Sequence, residues 1–174
     1  NALSSKYTTI SLAAQTTITG GGTLYVKSDR DCALYANGVD LAIDNCQVNA
    51  ESSTYAIAGS DGTRETLTIN NAMVTAEGKE NGSICDFANV MLVGCDIIQP
   101  AGAAFDSDLH GIALNGAIVT SKVIIGDPSS IQAPVIDAAA KRGIYTLSGV
   151  QLKTDVKDLP KGIYVVNGKK MVKK

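Results

Sequence analysis

One ten-residue pattern recurs along this chain and constrains its fold more than any other feature. Leu67-Thr68-Ile69-Asn70-Asn71-Ala72-Met73-Val74-Thr75-Ala76 repeats the pattern of Leu41-Ala42-Ile43-Asp44-Asn45-Cys46-Gln47-Val48-Asn49-Ala50. A weaker copy runs from Met91 through Val93, Cys95 and Ile98 to Pro100. A still weaker one begins near Ile18, with Gly20-Gly21-Gly22 at its bend. Within each copy apolar residues stand at every second position, Leu41/Ile43, Leu67/Ile69 and Met91/Val93, which is the period of a strand. A bend position follows, Asn45, Asn71 and, in the third copy, Cys95. A second short strand passes through Val48, Val74 and Ile98. After a polar turn, a third apolar stretch closes each unit, at residues 32–36, 55–58, 83–85 and 111–114.

Leu41 and Leu67 lie 26 residues apart, Leu67 and Met91 24. Such a period means a solenoid, whose units bury their apolar faces only by stacking. A leucine-rich repeat would place its Asn three residues after the second apolar position and continue into a helix. Here Asn follows Ile by two residues and no helical periodicity follows. The expectation is therefore an all-β chain, a parallel β-helix with three short sheets. Asn45 and Asn71 are expected to form a structural ladder at one bend, their amides facing inward and bonding coil to coil.

The residues Leu41-Ala-Ile43-Asp-Asn45 and Leu67-Thr-Ile69-Asn-Asn71 resemble the right-handed, single-stranded parallel β-helix of pectate-lyase-like and polygalacturonase-like proteins, and related domains of bacterial surface proteins. The resemblance covers roughly residues 16–126 and implies architecture rather than activity. Composition agrees with short strands and tight turns: 17 Gly, no Trp, and 45% hydrophobic residues in 174. No apolar run is long enough for a transmembrane helix.

Charge divides the chain. Nine of its 15 Lys and Arg follow residue 140, opposed only by Asp155 and Asp158, while the first 140 residues hold six basic and 15 acidic groups. The expected domains are a β-helix over 1–138 and a distinct segment over 139–174. In that segment Ser148-Gly149 and Asn167-Gly168 stand between alternating strands, predicting two antiparallel β-hairpins. The lysines interleave with strand residues and lack an aromatic stacking platform, so nucleic acid is not the expected partner. The stretches Ile144-Tyr145-Thr146-Leu147-Ser148-Gly149 and Leu159-Pro160-Lys161-Gly162-Ile163-Tyr164-Val165-Val166-Asn167-Gly168-Lys169 resemble the C-terminal (type IX-like) sorting domains of Bacteroidetes exported proteins. That resemblance implies an extracellular or outer-cell-surface location. The start at Asn1 is expected to reflect a mature or trimmed chain.

Candidate chemistry is sparse. Cys32, Cys46, Cys85 and Cys95 lack the spacing of a zinc site and read as small core residues. His110, the single histidine, follows Asp106 and Asp108 in a loop; clustered aspartates beside His-Gly are the catalytic candidates, since two carboxylates at suitable separation can cleave a glycosidic bond. The N-T-D and R-I-K marks of the pectin-cleaving hydrolases are absent. A lyase would need calcium held by carboxylates, with Asp29, Asp31 and Asp86 the residues to align across coils and Arg30 or Arg64 nearby. Otherwise no cofactor and no metal is expected. Tyr35 and Tyr55 occupy third-strand positions of adjacent coils and are the ligand-binding candidates, as a platform for sugar rings. The leading expectation is a non-catalytic, exported module that binds polysaccharide or cell-surface glycan, or serves in adhesion or display. The alternatives are a pectin-type lyase or hydrolase and a structural spacer.

Overall fold

The computed structural model describes residues 1–130, 143–147, 149–166 and 169–173. The chain separates into two units, Asn1–Ile131 and Gln132–Lys174. The boundary expected after residue 138 and the turn residues Ser148, Asn167 and Gly168 lie outside the described residues.

The first unit is a β-solenoid of about four turns. A partial turn, β1 (Ala2–Ser5) and β2 (Ile10–Ser11), precedes three complete ones. These are β3 (Thr16–Thr19), β4 (Thr23–Ser28) and β5 (Cys32–Tyr35); β6 (Leu41–Asp44), β7 (Gln47–Ser52) and β8 (Tyr55–Ala58); and β9 (Thr66–Asn70), β10 (Met73–Gly78) and β11 (Gly82–Cys85). Equivalent strands pair in parallel. The first sheet runs β3-β6-β9 and continues to β12 (Asn89–Val93). The second holds β1-β4-β7-β10 and the third β2-β5-β8-β11.

Register explains why the repeat folds this way. Ile18, Ile43, Ile69 and Leu92 face one another across successive strands of the first sheet. Leu24, Val48 and Val74 do so in the second sheet, and Ile10, Leu34, Ile57 and Ile84 in the third. Leu34, Ile43, Ile57, Ile69, Val48, Val74 and Ile84 have no accessible surface. Each such aliphatic side chain contributes roughly 1.5–3 kcal/mol on leaving water.

The third copy corrects the sequence reading by one residue. Val90 pairs with Leu67 and Leu92 with Ile69, so Val90 and Leu92 face the core. Met91 and Val93, expected inside, are 47% and 45% exposed. A one-residue slip exchanges the two faces of a strand, and the unbroken apolar run Val90-Met91-Leu92-Val93 conceals the alternation.

The same slip moves the bend. Asn45, Asn71 and Gly94, not Cys95, occupy it, all with left-handed backbone at φ 49°, 44° and 63°. Asn and Gly are the residues that tolerate this region. The inward-facing amide ladder does not form. Asn45 and Asn71 are exposed, and their amides donate to the preceding side chains, Asp44 and Asn70, at 3.0 and 3.1 Å. The bond between coils is made instead by Asn70, which donates to Asp44 at 2.6 Å. The interior at this corner holds Ala72 and Cys95, whose thiol reaches the Ile69 carbonyl at 3.3 Å. Buried polar rungs form at the next corner from serine. Ser28 donates to the Tyr7 carbonyl at 2.8 Å, and Ser52, opposite Ser28, to the Asp31 carbonyl.

The far end departs from the repeat. β13 (Asp96–Gln99) does not pair with β10; β17 (Val123–Gly126) lies between them, antiparallel to both. Its Val123 and Ile125 are fully buried opposite Ala76 and Val74. β14 (Ala104–Asp106), β15 (Gly111–Leu114) and β16 (Ala117–Ile118) form a small antiparallel sheet, so residues 111–114 do not extend the third sheet as a further coil. Ile112, Phe87 and Val119 add buried apolar bulk to the core there. Antiparallel closure satisfies a sheet edge that would otherwise template further pairing.

The second unit is a four-stranded antiparallel sheet in the order β19 (Gln151–Leu152), β18 (Ile144–Thr146), β20 (Gly162–Val166), β21 (Lys169–Lys173). The two expected hairpins are joined by the β18–β20 pairing. Ile144, Leu159 and Tyr164 form its core, with the Tyr164 hydroxyl donating to the Pro160 carbonyl at 3.1 Å. Among the described residues no helix is long and apolar enough to cross a membrane.

The register of β12 is directly testable. Leu92→Ala is expected to cost about 2 kcal/mol in denaturant unfolding, whereas Met91→Ala stays within roughly 0.5 kcal/mol. The reverse order would restore the unshifted alignment.

Candidate functional site

The outer side of the third sheet carries a cleft of about 340 Å³ lined by Thr8, Asp31, Cys32, Tyr35, Tyr55, Ala58, Gly59, Ser60 and Asp86. Its floor follows from strand register. Cys32 lies opposite Tyr55, and Ala58 lies between Tyr35 and Cys85. Cys32, Ala58 and Cys85 make a small buried cluster separate from the main core, with Tyr35 and Tyr55 packed against it. The two tyrosines, on successive coils, thus share one cleft. The Tyr35 hydroxyl contacts the Ser60 hydroxyl at 3.3 Å.

Polar groups converge from the turns. Asp31 Oδ2 accepts the Thr8 hydroxyl at 2.5 Å. Asp86, directly after β11, has left-handed backbone at φ 60°. Burial raises its carboxyl pKa above the ordinary value and nearby Glu65 adds to the rise, while the Cys85 thiol and His110 oppose it. Burial pushes the Cys32 thiol up to about 12, with Asp31 and Asp86 contributing. Burial and then Asp86 raise Cys85, and the same two causes in the same order raise Tyr55. Both thiols are therefore protonated and poor nucleophiles at neutral pH. All four cysteines are free.

Behind the cleft lies a buried acid. Glu65 has no accessible surface. Its Oε1 accepts the Ser60 N–H, and its Oε2 has no hydrogen-bond partner. A Cβ on Gly59 would collide with the Asp86 carbonyl and stand 2.6 Å from Glu65 Oε1. Only glycine lets the wall pass this close.

The other sequence candidates lie elsewhere. Asp106 Oδ1 accepts the N–H groups of Asp108 and Leu109 at 2.9 and 3.1 Å, closing a turn. Asp108 is exposed on that turn. His110 follows at φ 56°, its ring against Gly62 and its Nδ1 buried without a partner. None of these three lines the cleft, although His110 is close enough to act on Asp86. Of the possible calcium ligands, Asp31 and Asp86 line the cleft and Asp29 does not. Among the described residues no three His, Cys, Asp or Glu side chains converge as a metal cage. A larger hollow of about 500 Å³ on the outer face of the second sheet includes Tyr25, Lys27, Asn49 and Glu51. Its Lys27 and Glu51 pair at 3.2 Å, Glu77 and Lys122 also line it, and the Asn49 Nδ2 is buried there without a partner, so its charge is mixed where that of the cleft is not.

Thr8, Gly59, Ser60 and Glu65 are the site residues that the sequence did not disclose. Their neighbourhood arises from coil stacking, and no local pattern marks a carboxylate as buried. Comparison with known protein families, curated proteins and solved structures finds no match for this chain.

Two outcomes follow from the electrostatics. A raised carboxyl pKa means the folded state holds its proton more tightly than the unfolded one. Its stabilising contribution is complete below the ordinary carboxylate pKa and is lost as pH rises through the raised one. Asp86→Asn should therefore raise Tm at neutral pH, and the gain should vanish near roughly pH 3; a gain independent of pH would contradict this. Iodoacetamide at about pH 8 should label the native protein slowly, Cys46 first, and count four thiols after unfolding without reductant.

Proposed function

We propose that the solenoid is a non-catalytic glycan-binding module of an exported protein, secreted or held at the cell surface. The observation that carries this reading is the shared cleft of Tyr35 and Tyr55, ringed by Asp31, Asp86, Ser60 and Thr8. Aromatic faces stack on the apolar faces of sugar rings, and carboxylates and hydroxyls take the ring hydroxyls. The rigidity of stacked strands favours this, because little order is lost on binding. Export is supported by the Leu159-Pro160-Lys161-Gly162-Ile163-Tyr164 stretch, whose likeness to Bacteroidetes sorting domains accompanies an antiparallel sheet in the second unit.

One observation favours a polysaccharide-cleaving hydrolase or lyase as the second reading. Asp86 is half-buried with a raised pKa and shares the cleft with Asp31, and unequal carboxyls can serve as acid and base. Asp106, Asp108 and His110 would then play no part at the reacting centre.

A broad glycan panel read for both retention and product release separates the two. Retention without new reducing or unsaturated ends is expected. Tyr55→Ala should weaken binding by about tenfold, the size of one lost stacking contact, with Tyr25→Ala unchanged. Product release abolished by Asp86→Ala would establish the enzyme instead.

A further inference from the structure

We propose that the cleft selects a protonated amine carried on a sugar, so that its ligand is an amino-sugar glycan with free amino groups. This rests on the glycan-binding reading and narrows it to a chemical class.

The lining is one-sided in charge. Asp31 and Asp86 are its ionisable carboxyls, and no Lys, Arg or His lines it. Arg64 does not line the cleft but stands near its Ser60 edge: a Cβ on Gly38 would lie 3.3 Å from its guanidinium and 4.0 Å from the Ser60 Cβ, and it also acts on Asp61. His110 faces Asp86 from behind, packed on Gly62. Asp31 and Asp86 each disfavour the Cys32 thiolate, so their negative field extends across the floor.

A second observation points the same way. Glu65 is a fully buried acid whose Oε2 has no hydrogen-bond partner. Its other oxygen takes the N–H of Ser60, and it lies against Gly59; both residues line the cleft. A buried carboxyl oxygen without a donor marks the wall behind the cleft as rich in acceptors, and an ammonium group carries only donors.

The tyrosines supply the rest. A cation over a tyrosine face is attracted by the ring quadrupole. Tyr35 lies opposite Ala58 and Tyr55 opposite Cys32, so the two rings stand three positions apart along adjacent strands, at opposite ends of the cleft floor. One ring can stack on the sugar while the amine reaches Asp31 or Asp86. The cleft, at about 340 Å³, is at the small end of ligand sites and fits roughly one or two sugar rings.

The test is calorimetric titration of the full chain with three tetrasaccharides of one backbone: β-1,4-linked glucosamine, its N-acetylated form, and the glucose tetramer. The glucosamine tetramer should bind at least about tenfold tighter than the other two, with the preference shrinking as salt rises. Asp31→Asn and Asp86→Asn should each reduce that preference and together remove it. Circular dichroism melts establish that the variants are folded. Equal affinity for all three sugars overturns the amine inference and leaves glycan binding standing. The same holds if only other sugars on the broad panel bind. If no glycan on that panel binds, both readings fall. Tetralysine competing as tightly as the glucosamine tetramer would overturn a sugar-borne amine.

Discussion

The structure depends on end-on stacking of equivalent aliphatic residues in parallel register. Ile18, Ile43, Ile69 and Leu92 form one such row, and comparable rows run through the other two sheets. A single coil has no core of its own. Each row gives every coil its apolar floor and ceiling, and the backbone ladder fixes the spacing at the same time. The corners obey the same rule. Asn45, Asn71 and Gly94 turn the chain in one backbone conformation, and a Cβ on Gly94 would collide with the Asn71 side chain.

A stack of this kind must also end. The chain closes it by abandoning its own repeat after β12: β17 runs antiparallel into the second sheet, and Phe87, Ile112 and Val119 fill the core beside it. The departure brings His110 to its place behind Asp86. The same stacking that builds the scaffold builds the cleft. Residues far apart in the sequence, such as Tyr35 and Tyr55 or Asp31 and Asp86, line one cleft because the coils that carry them stack in one sheet, with β8 between β5 and β11.

Stability and binding pull against each other at this place. A buried glutamate without a full set of partners, a half-buried aspartate whose carboxyl pKa is raised by burial, and a glycine that admits no side chain all lie within one wall. Residues that selection for stability alone would replace concentrate where ligands are bound. The regular rungs carry fewer such features, among them the Asn49 amide on the outer face of the second sheet and Gly78, where a Cβ would collide with the Gly82 carbonyl.

The sequence by itself determined the solenoid, its three strands per coil and the placing of nearly every rung, because period-2 alternation repeated at a fixed interval has few other solutions. It determined the tail hairpins through alternating strands and their turns. It placed Tyr35 and Tyr55 on equivalent strands of successive coils, though not their offset of three positions. Only the tertiary structure decided three things. It settled the register of Val90-Met91-Leu92-Val93, since four successive apolar residues carry no internal phase. It settled which way the bend asparagines face, because left-handed backbone turns Asn45 and Asn71 outward and leaves Cys95 and Ala72 inside. It settled the company of Asp86, because Glu65 and His110 reach it across coil boundaries, and contacts between coils depend on where each turn directs its side chains.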